Sequence, residues 1–432
     1  MNKISLEMLK KKLSDFLLQI KNKPIKEWPV WSFLRWSIIA FIVGLTVGPV
    51  GILFHYALDI ATNTRMQFDW LIFFLPIVGI AIAWMYKRFA NEDKGTNMVL
   101  CAIRSDKEMK PITAPLIFIS TVLTHLFGGS AGREGAALQL GGSIATTVGT
   151  LFHLDEKDKH VLVMCGTSAA FAALFGTPVT AAIFSLEVIS IGLMYYSAII
   201  PCVISAITGA SLAALAKIPP TAYTLVGIES TSIVPILQAL LLGVLCAIVS
   251  IFFCNMMRGV SKLFKKILPN VYLRAMVGGL LIIGLTLLVG TRSYNGVGSV
   301  VIAKAIEGTA LPYDFLLKIV FTAITLGSGY KGGEIVPVFF TGATFGCVAG
   351  GLIGLNPSFG AGIGMVALFC GVTNCPITSI ILSIEMFGTK GLPLFAVAIA
   401  ASYMLSGYSG LYGEQKIVYS KLKAEFIDIK AK

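Results

Sequence analysis

Apolar and polar positions along this chain separate into long blocks rather than alternating at short period. Nearly uninterrupted apolar stretches run over about 36–62, 70–86, 112–128, 232–256 and 273–290. Each approaches the ~20 residues a helix needs to cross a hydrocarbon core, so each predicts a spanning helix. Shorter apolar pieces lie among them at 134–150, 161–173, 177–192, 298–308, 333–346 and 361–372, cut by Gly and Pro. A broken helix is tolerated in lipid only where its ends face protein or a polar cavity. The pattern therefore predicts an all-α polytopic fold of many short, tilted helices around an internal path, as in transporters and channels.

Residues 4–20 follow another rule. Leu6, Leu9, Leu13, Phe16, Leu17 and Ile20 recur at helical spacing, with Lys10, Lys11 and Lys12 between them. This is an amphipathic helix, resting on a membrane surface or packed on the protein as a solvated helix.

The second half of the pattern echoes the first. Pro178–Glu187 (PVTAAIFSLE) aligns with Pro376–Glu385 (PITSIILSIE) at an offset of 198, with five of ten positions identical. Gly129, Gly132, Glu134 and Gly142 align with Gly329, Gly332, Glu334 and Gly342 at an offset of 200, and Gly95 lies 201 before Gly296. Two homologous halves, about 36–216 and 232–412, are expected. Membrane repeats of this kind often place the substrate site at their interface, but similarity alone leaves open whether the second half is inverted.

Composition agrees with the blocks. Hydrophobic residues make up 56% of the 432 positions and charged residues 13%, too few charges for the surface of a soluble protein of this size. The formal net charge of +12 is read as basic loops against anionic lipid, and no basic-aromatic array suggests nucleic acid. Lys10 to Lys26, Lys87 to Lys110, Arg258 to Lys266 and Lys416 to Lys432 are Lys/Arg-rich, which puts these segments and both termini in the cytoplasm. The expected organisation is a cytoplasmic segment at 1–30, one transmembrane domain at 31–425 and a short tail at 426–432, in the plasma membrane. The start has no short apolar core with a cleavage site. None of the eight cysteines forms a CxxC pair, and they read as small buried side chains.

The chemistry concentrates at Gly128-Gly-Ser-Ala-Gly-Arg-Glu-Gly135, a glycine turn opening into a helix. Glycines let backbone amides approach a ligand, and free amides at a helix start favour an anion. Glu134 stands there, and an ionisable side chain at membrane depth is by default a functional candidate. Its carboxylate suits the same amide cradle as a passing anion, and protonation would release it. Structural pairing with Arg133 or a lysine is the alternative. The counterpart, Gly327-Ser-Gly-Tyr-Lys-Gly-Gly-Glu-Ile-Val-Pro337, offers the amides of Ile335 and Val336. It is not a nucleotide loop, because no strand precedes it and no GK[ST] follows. Thr96, in Lys94-Gly-Thr-Asn-Met-Val99, has a hydroxyl for an anion, although residues of this kind are more often helix caps. Tyr419 on its own is an interfacial tyrosine. No nucleophile, metal cluster or cofactor motif accompanies Glu134 and Glu334, which argues against an enzyme.

These elements in this order resemble the CLC family of chloride channels and proton-coupled anion transporters, over about residues 35–425 and most closely from Gly128 to Glu187. The resemblance implies a homodimer in the bilayer, one halide pathway per subunit, and inverted halves whose helix N-termini meet at the anion. It assigns gating and proton transfer to Glu134 and anion contacts to Thr96, Arg133, Gly135, Ile335, Val336 and Tyr419. Ala136, Thr96 and Glu334 depart from the common motifs, and Val188 stands where many exchangers carry an internal proton-transfer glutamate. Loss of that glutamate is shared by passive chloride channels and by the branch that exchanges fluoride for protons, whose GGE segment this chain resembles. Halide/proton exchange is the expectation, with a passive chloride channel as the alternative. Glu334 is expected to titrate beside the pathway or to pair with Lys331.

Overall fold

The computed structural model describes residues 29–90, 95–105 and 108–431. The amphipathic helix expected at 4–20 lies outside these residues. Sixteen α-helices follow one another among those described. The first half holds α1 (Pro29–Gln67), α2 (Leu75–Phe89), α3 (Asn97–Arg104), α4 (Thr113–Leu126), α5 (Glu134–Leu151), α6 (Glu156–Phe175), α7 (Pro178–Glu187) and α8 (Ile199–Leu215). The second holds α9 (Ile233–Ile267), α10 (Val271–Val289), α11 (Ser299–Ile306), α12 (Asp314–Gly327), α13 (Ile335–Leu352), α14 (Pro357–Thr373), α15 (Pro376–Phe387) and α16 (Leu392–Leu405).

Six described helical segments are long and apolar enough to span a bilayer, α1 and α9 being the longest at 39 and 35 residues. At 1.5 Å per residue α1 is about 58 Å long, more than a hydrocarbon core requires, so it must tilt or emerge. The helices between Thr113 and Glu187 and between Asp314 and Phe387 are mostly shorter and more buried. They form the interior, while the long helices carry exposed apolar residues such as Leu53, Ile60, Leu240 and Ile248 toward the lipid position.

Lipid offers little hydrophobic drive for helices to associate, so close backbone packing through small residues takes over. Gly141 of α5 abuts the Gly166 carbonyl of α6, and Gly342 of α13 abuts the Gly364 carbonyl of α14. A side chain at any of these positions would enter its neighbour's backbone. The two helix pairs, α5 with α6 and α13 with α14, are repeat counterparts. Gly44 and Gly48 of α1 likewise receive Thr208 and Leu212 of α8.

The relation between the halves is visible where α7 meets α15. Glu187, at the end of α7, accepts hydrogen bonds from the Ile377 and Thr378 amides at the start of α15 (3.0 and 2.8 Å). Glu385, near the end of α15, accepts from the Val179 and Thr180 amides at the start of α7 (3.0 and 2.8 Å). Each helix is capped by the other's terminal carboxylate, which requires the two to run antiparallel. The repeat found in the sequence is therefore an inverted one. Each cap satisfies amides that a helix start leaves without partners and sets a negative charge against the positive end of the dipole.

Behind α16 the chain forms a small sheet. β1 (Ser190–Ile191) pairs in parallel with β2 (Lys416–Tyr419), which pairs antiparallel with β3 (Phe426–Lys430). The segment expected as a short tail at 426–432 is thus largely a strand, held by its ladder to β2 and by Ala431 donating to the Gln415 carbonyl.

Candidate anion site

The two glycine loops meet in the middle of the molecule. Gly132 and Gly333 form an isolated antiparallel bridge, each amide donating to the other's carbonyl at 2.7 and 2.8 Å. This pairing sets the starts of α5 and α13 side by side. Glycine is required here. A Cβ on Gly333 would lie 2.6 Å from the Gly135 nitrogen and 2.8 Å from that of Glu134, and a Cβ on Gly132 would strike the Glu134 carboxylate.

Glu134 opens α5 and is completely buried. Its Oε2 accepts a hydrogen bond from the Val336 amide at 3.1 Å, whereas its Oε1 has no partner among the described residues. The carboxylate thus sits in the amide cradle at the start of α13, where the dipole and free N–H groups favour negative charge. Arg133 does not pair with it. Its guanidinium lies 3.1 Å from His55 Nδ1 and stands over the Phe175 ring, 5.2 Å from the centroid. His55 in turn lies 3.2 Å from Asp59 through Nε2. The structural pairing considered for Glu134 is absent, and Arg133 is held toward α1 instead.

Below this level Thr96 stands at the cap position of α3, but its hydroxyl makes no capping hydrogen bond. It faces α5: a Cβ on Gly135 would lie 2.6 Å from Thr96 Oγ1 and 3.5 Å from Glu334 Oε2. Thr96, Glu334 and Gly135 therefore converge, and Glu334 Oε2 has no hydrogen-bond partner. Among the described residues no ion pair joins Glu334 to Lys331, the alternative raised for it. The Lys331 ammonium stands over the Tyr86 ring, 4.2 Å from its centroid.

Two spaces open from this point. One is a chamber of about 10 Å³ lined by Thr96, Leu138, Thr167, Phe184, Ser185, Val188 and Tyr412. That volume holds about one water-sized particle. The other is a polar vestibule of about 530 Å³ that exposes Thr96, Gln139, Glu334, Lys265, Lys331 and Glu414. It shares Ser261, Lys265 and Lys331 with a larger basic cavity that adds Lys87 and Arg274. Among the described residues the charged lining of this larger cavity is basic throughout, and a low-dielectric mouth of that kind concentrates anions.

One expected residue is misplaced. Tyr419 ends β2, is 47% exposed and packs edge-on against Phe426. The β2–β3 register is irregular between Ile417 and Tyr419, which breaks the alternation of the pleat: Ile417 and Val418 are both buried and Tyr419 turns to solvent. The tyrosine that reaches the chamber is Tyr412, 2% exposed, in the turn after α16, with a hydroxyl that has no partner. A loop side chain has no periodicity from which its direction can be read, so only its position after the last helix hinted at it. Thr167 and Ser185, hydrogen-bonded to each other at 3.0 Å, were likewise hidden in apolar helices. Val188 lines the chamber, and the acid beside it, Glu187, is committed to capping α15.

Residues 78–407 match the family described as voltage gated chloride channel. The chain belongs to the CLC family. Among CLC-family relatives, it is 35% identical over 395 residues to the chloride/fluoride channel protein of Pseudomonas syringae pv. tomato, covering 90% of this chain and 87% of that one. It is 26% identical to the H(+)/Cl(-) exchange transporter ClcA of Vibrio cholerae serotype O1, covering 89% and 88%. A crystal structure of a CLC-type fluoride/proton antiporter superposes with a TM-score of 0.85 at 31% identity, covering 88% of this chain and 98% of that one. The helical, multi-pass CLC architecture expected from the sequence is the one observed, with the small sheet β1–β3 as an addition to the all-α expectation.

Proposed function

We propose that this protein exchanges a halide, fluoride or chloride, for protons across the membrane, with Glu134 as both gate and proton carrier. The observation that carries the reading is the Glu134–Val336 hydrogen bond. An ionised carboxylate and a halide compete for the same amide cradle. Protonation removes the charge that holds the carboxylate there, so the side chain leaves with its proton and an anion takes its place. Anion entry and proton carriage then alternate at one position.

Thr96, Gly135, Ile335, Val336 and Tyr412 contribute hydroxyls and amides along the anion's route, and Arg133 adds positive charge beside it. Glu334 serves as the second proton station. It faces the polar vestibule on one side and approaches Gly135 on the other, so it supplies the inner leg that Val188 does not. The basic vestibule opens to the cytoplasm, in line with the basic segments around it. The protein resides in the plasma membrane, has cytoplasmic termini and works as a homodimer with one pathway per subunit.

The test is flux from liposomes containing the purified protein, with fluoride, chloride and external pH recorded together. An imposed halide gradient should drive protons uphill, and Glu134→Gln should abolish the proton movement. Halide currents whose reversal potential ignores pH in the wild type would instead establish a passive channel, the reading favoured by Val188 lining the chamber.

A further inference from the structure

Gly95 and Gly296 mark equivalent points in the two halves. The first precedes α3 and borders the vestibule beside Thr96. The second precedes α11, and the inversion carries it to the opposite side of the membrane. The chain path agrees: Lys265, just before α10, borders the first vestibule, and Thr291, just after α10, borders a second cavity of about 330 Å³. This cavity has no role in the mechanism above.

Its lining is cationic. Arg65, near the end of α1, is only 8% exposed, and its Nε has no hydrogen-bond partner. Among the described residues no carboxylate pairs with its guanidinium. Arg292 also borders the cavity but is already matched, donating to the Asp69 carboxylate and carbonyl at 2.6 Å each. The start of α11 completes the wall. Gly298 takes a left-handed conformation (φ +80°) at its cap, and Val301 and Ile302 donate to the Gly298 carbonyl, so the preceding amides of Ser299 and Val300 have no such partner. Beneath this wall the fully buried Lys318 donates to the Gly296 and Tyr294 carbonyls at 2.7 and 3.1 Å and meets no carboxylate among the described residues.

A buried guanidinium without a counter-charge is costly unless something supplies one. Lys318 lies behind the wall and does not line the cavity, so with Arg292 and Asp69 cancelling, the described lining has one positive charge left over, that of Arg65. Charge balance therefore calls for a monovalent anion. Arginine and helix-start amides are the groups that hold one. The wall also touches the gate loop directly: the Gly296 amide donates to the Gly129 carbonyl at 2.9 Å, and Asn295 Nδ2 donates to the Gly128 carbonyl at 2.7 Å.

We infer that Arg65, Ser299 and the start of α11 form a halide-binding outer vestibule, the inverted counterpart of the Thr96 vestibule, which holds the anion next to the loop carrying Glu134. The choice of halide rests on the exchange reading above, whereas the monovalent charge follows from this cavity alone.

Crystals of the full chain grown in graded bromide test it by anomalous scattering. A bromide peak is expected between the Arg65 guanidinium and the Ser299 amide. Arg65→Gln should raise the half-occupancy concentration about tenfold, the loss expected for one charge-assisted hydrogen bond, and Arg65→Lys should restore much of it. Asp69→Asn alters an exposed side chain and frees Arg292, so it should strengthen the peak even if the Arg65 variants fail to fold. Absence of the peak at saturating bromide, or a peak indifferent to Asp69→Asn and to any Arg65 variant that folds, overturns the inference. If the peak responds as described while liposomes show no coupled halide flux, the site stands and the exchange reading falls. If flux is coupled and the peak is absent, the reverse holds.

Discussion

The Glu134 carboxylate occupies the Val336 amide at 3.1 Å, although 202 positions separate the two residues. One half of the repeat thus fills the amide cradle of the other with its own side chain. Under the exchange proposed above, this relation makes gate and site one object, because whatever neutralises Glu134 would also empty the cradle.

Glu134→Ala should leave the cradle permanently open. Halide flux in liposomes should persist without proton coupling and should lose most of its dependence on external pH. A variant that still drives protons uphill would remove Glu134 from the proton route.

Glu334→Gln should separate the two fluxes differently. The neutral amide keeps the shape of the vestibule wall but cannot carry a proton, so proton movement should fall at least about tenfold, the low end for loss of a positioned acid–base group, while halide still passes. Equal loss of both fluxes would mark Glu334 as structural.

Tyr412→Phe removes a hydroxyl from the one-particle chamber, whereas Tyr419→Phe alters an exposed side chain on β2. The first should weaken halide binding by about 0.5–1.5 kcal/mol, the net worth of a typical hydrogen bond, read as a raised half-saturating halide concentration. The second should be silent. A reversed outcome would return the pore tyrosine to position 419.

The reciprocal caps are a matter of stability rather than transport. Glu187 is 6% exposed and also accepts from the Thr378 hydroxyl at 2.6 Å. Glu187→Ala should destabilise the purified protein by about 2–4 kcal/mol, since buried amides lose a charged partner, and should lower the thermal midpoint more than Glu385→Ala. Equal shifts in the two variants would show that burial and the third hydrogen bond at Glu187 add nothing.

Much of this was legible before any coordinates. The block pattern located four of the six long spans, at 36–62, 70–86, 232–256 and 273–290, because length and apolarity are what a bilayer demands of a helix; 112–128 instead holds the shorter Thr113–Leu126, and the spans Tyr196–Leu215 and Ile335–Leu352 were not foreseen as such. The offsets of 198 to 201 located the two halves, and the glycines around Glu134 and Glu334 located the loops, because only glycine permits the backbone approach made there. The family resemblance, carried by those same residues, fits the relatives found.

What the sequence could not decide is direction. Two similar halves read alike whether parallel or inverted, and the crossed caps of Glu187 and Glu385 settle that. The Val336 amide, the packing of Thr96 against Gly135, the inward Tyr412 and outward Tyr419, and the bare charge of Arg65 all depend on where a side chain or amide points after distant segments meet. Composition and spacing determined which groups this protein owns. Only the tertiary structure determined which of them face one another, because hydrogen bonds and charge balance act across space, without regard to separation along the chain.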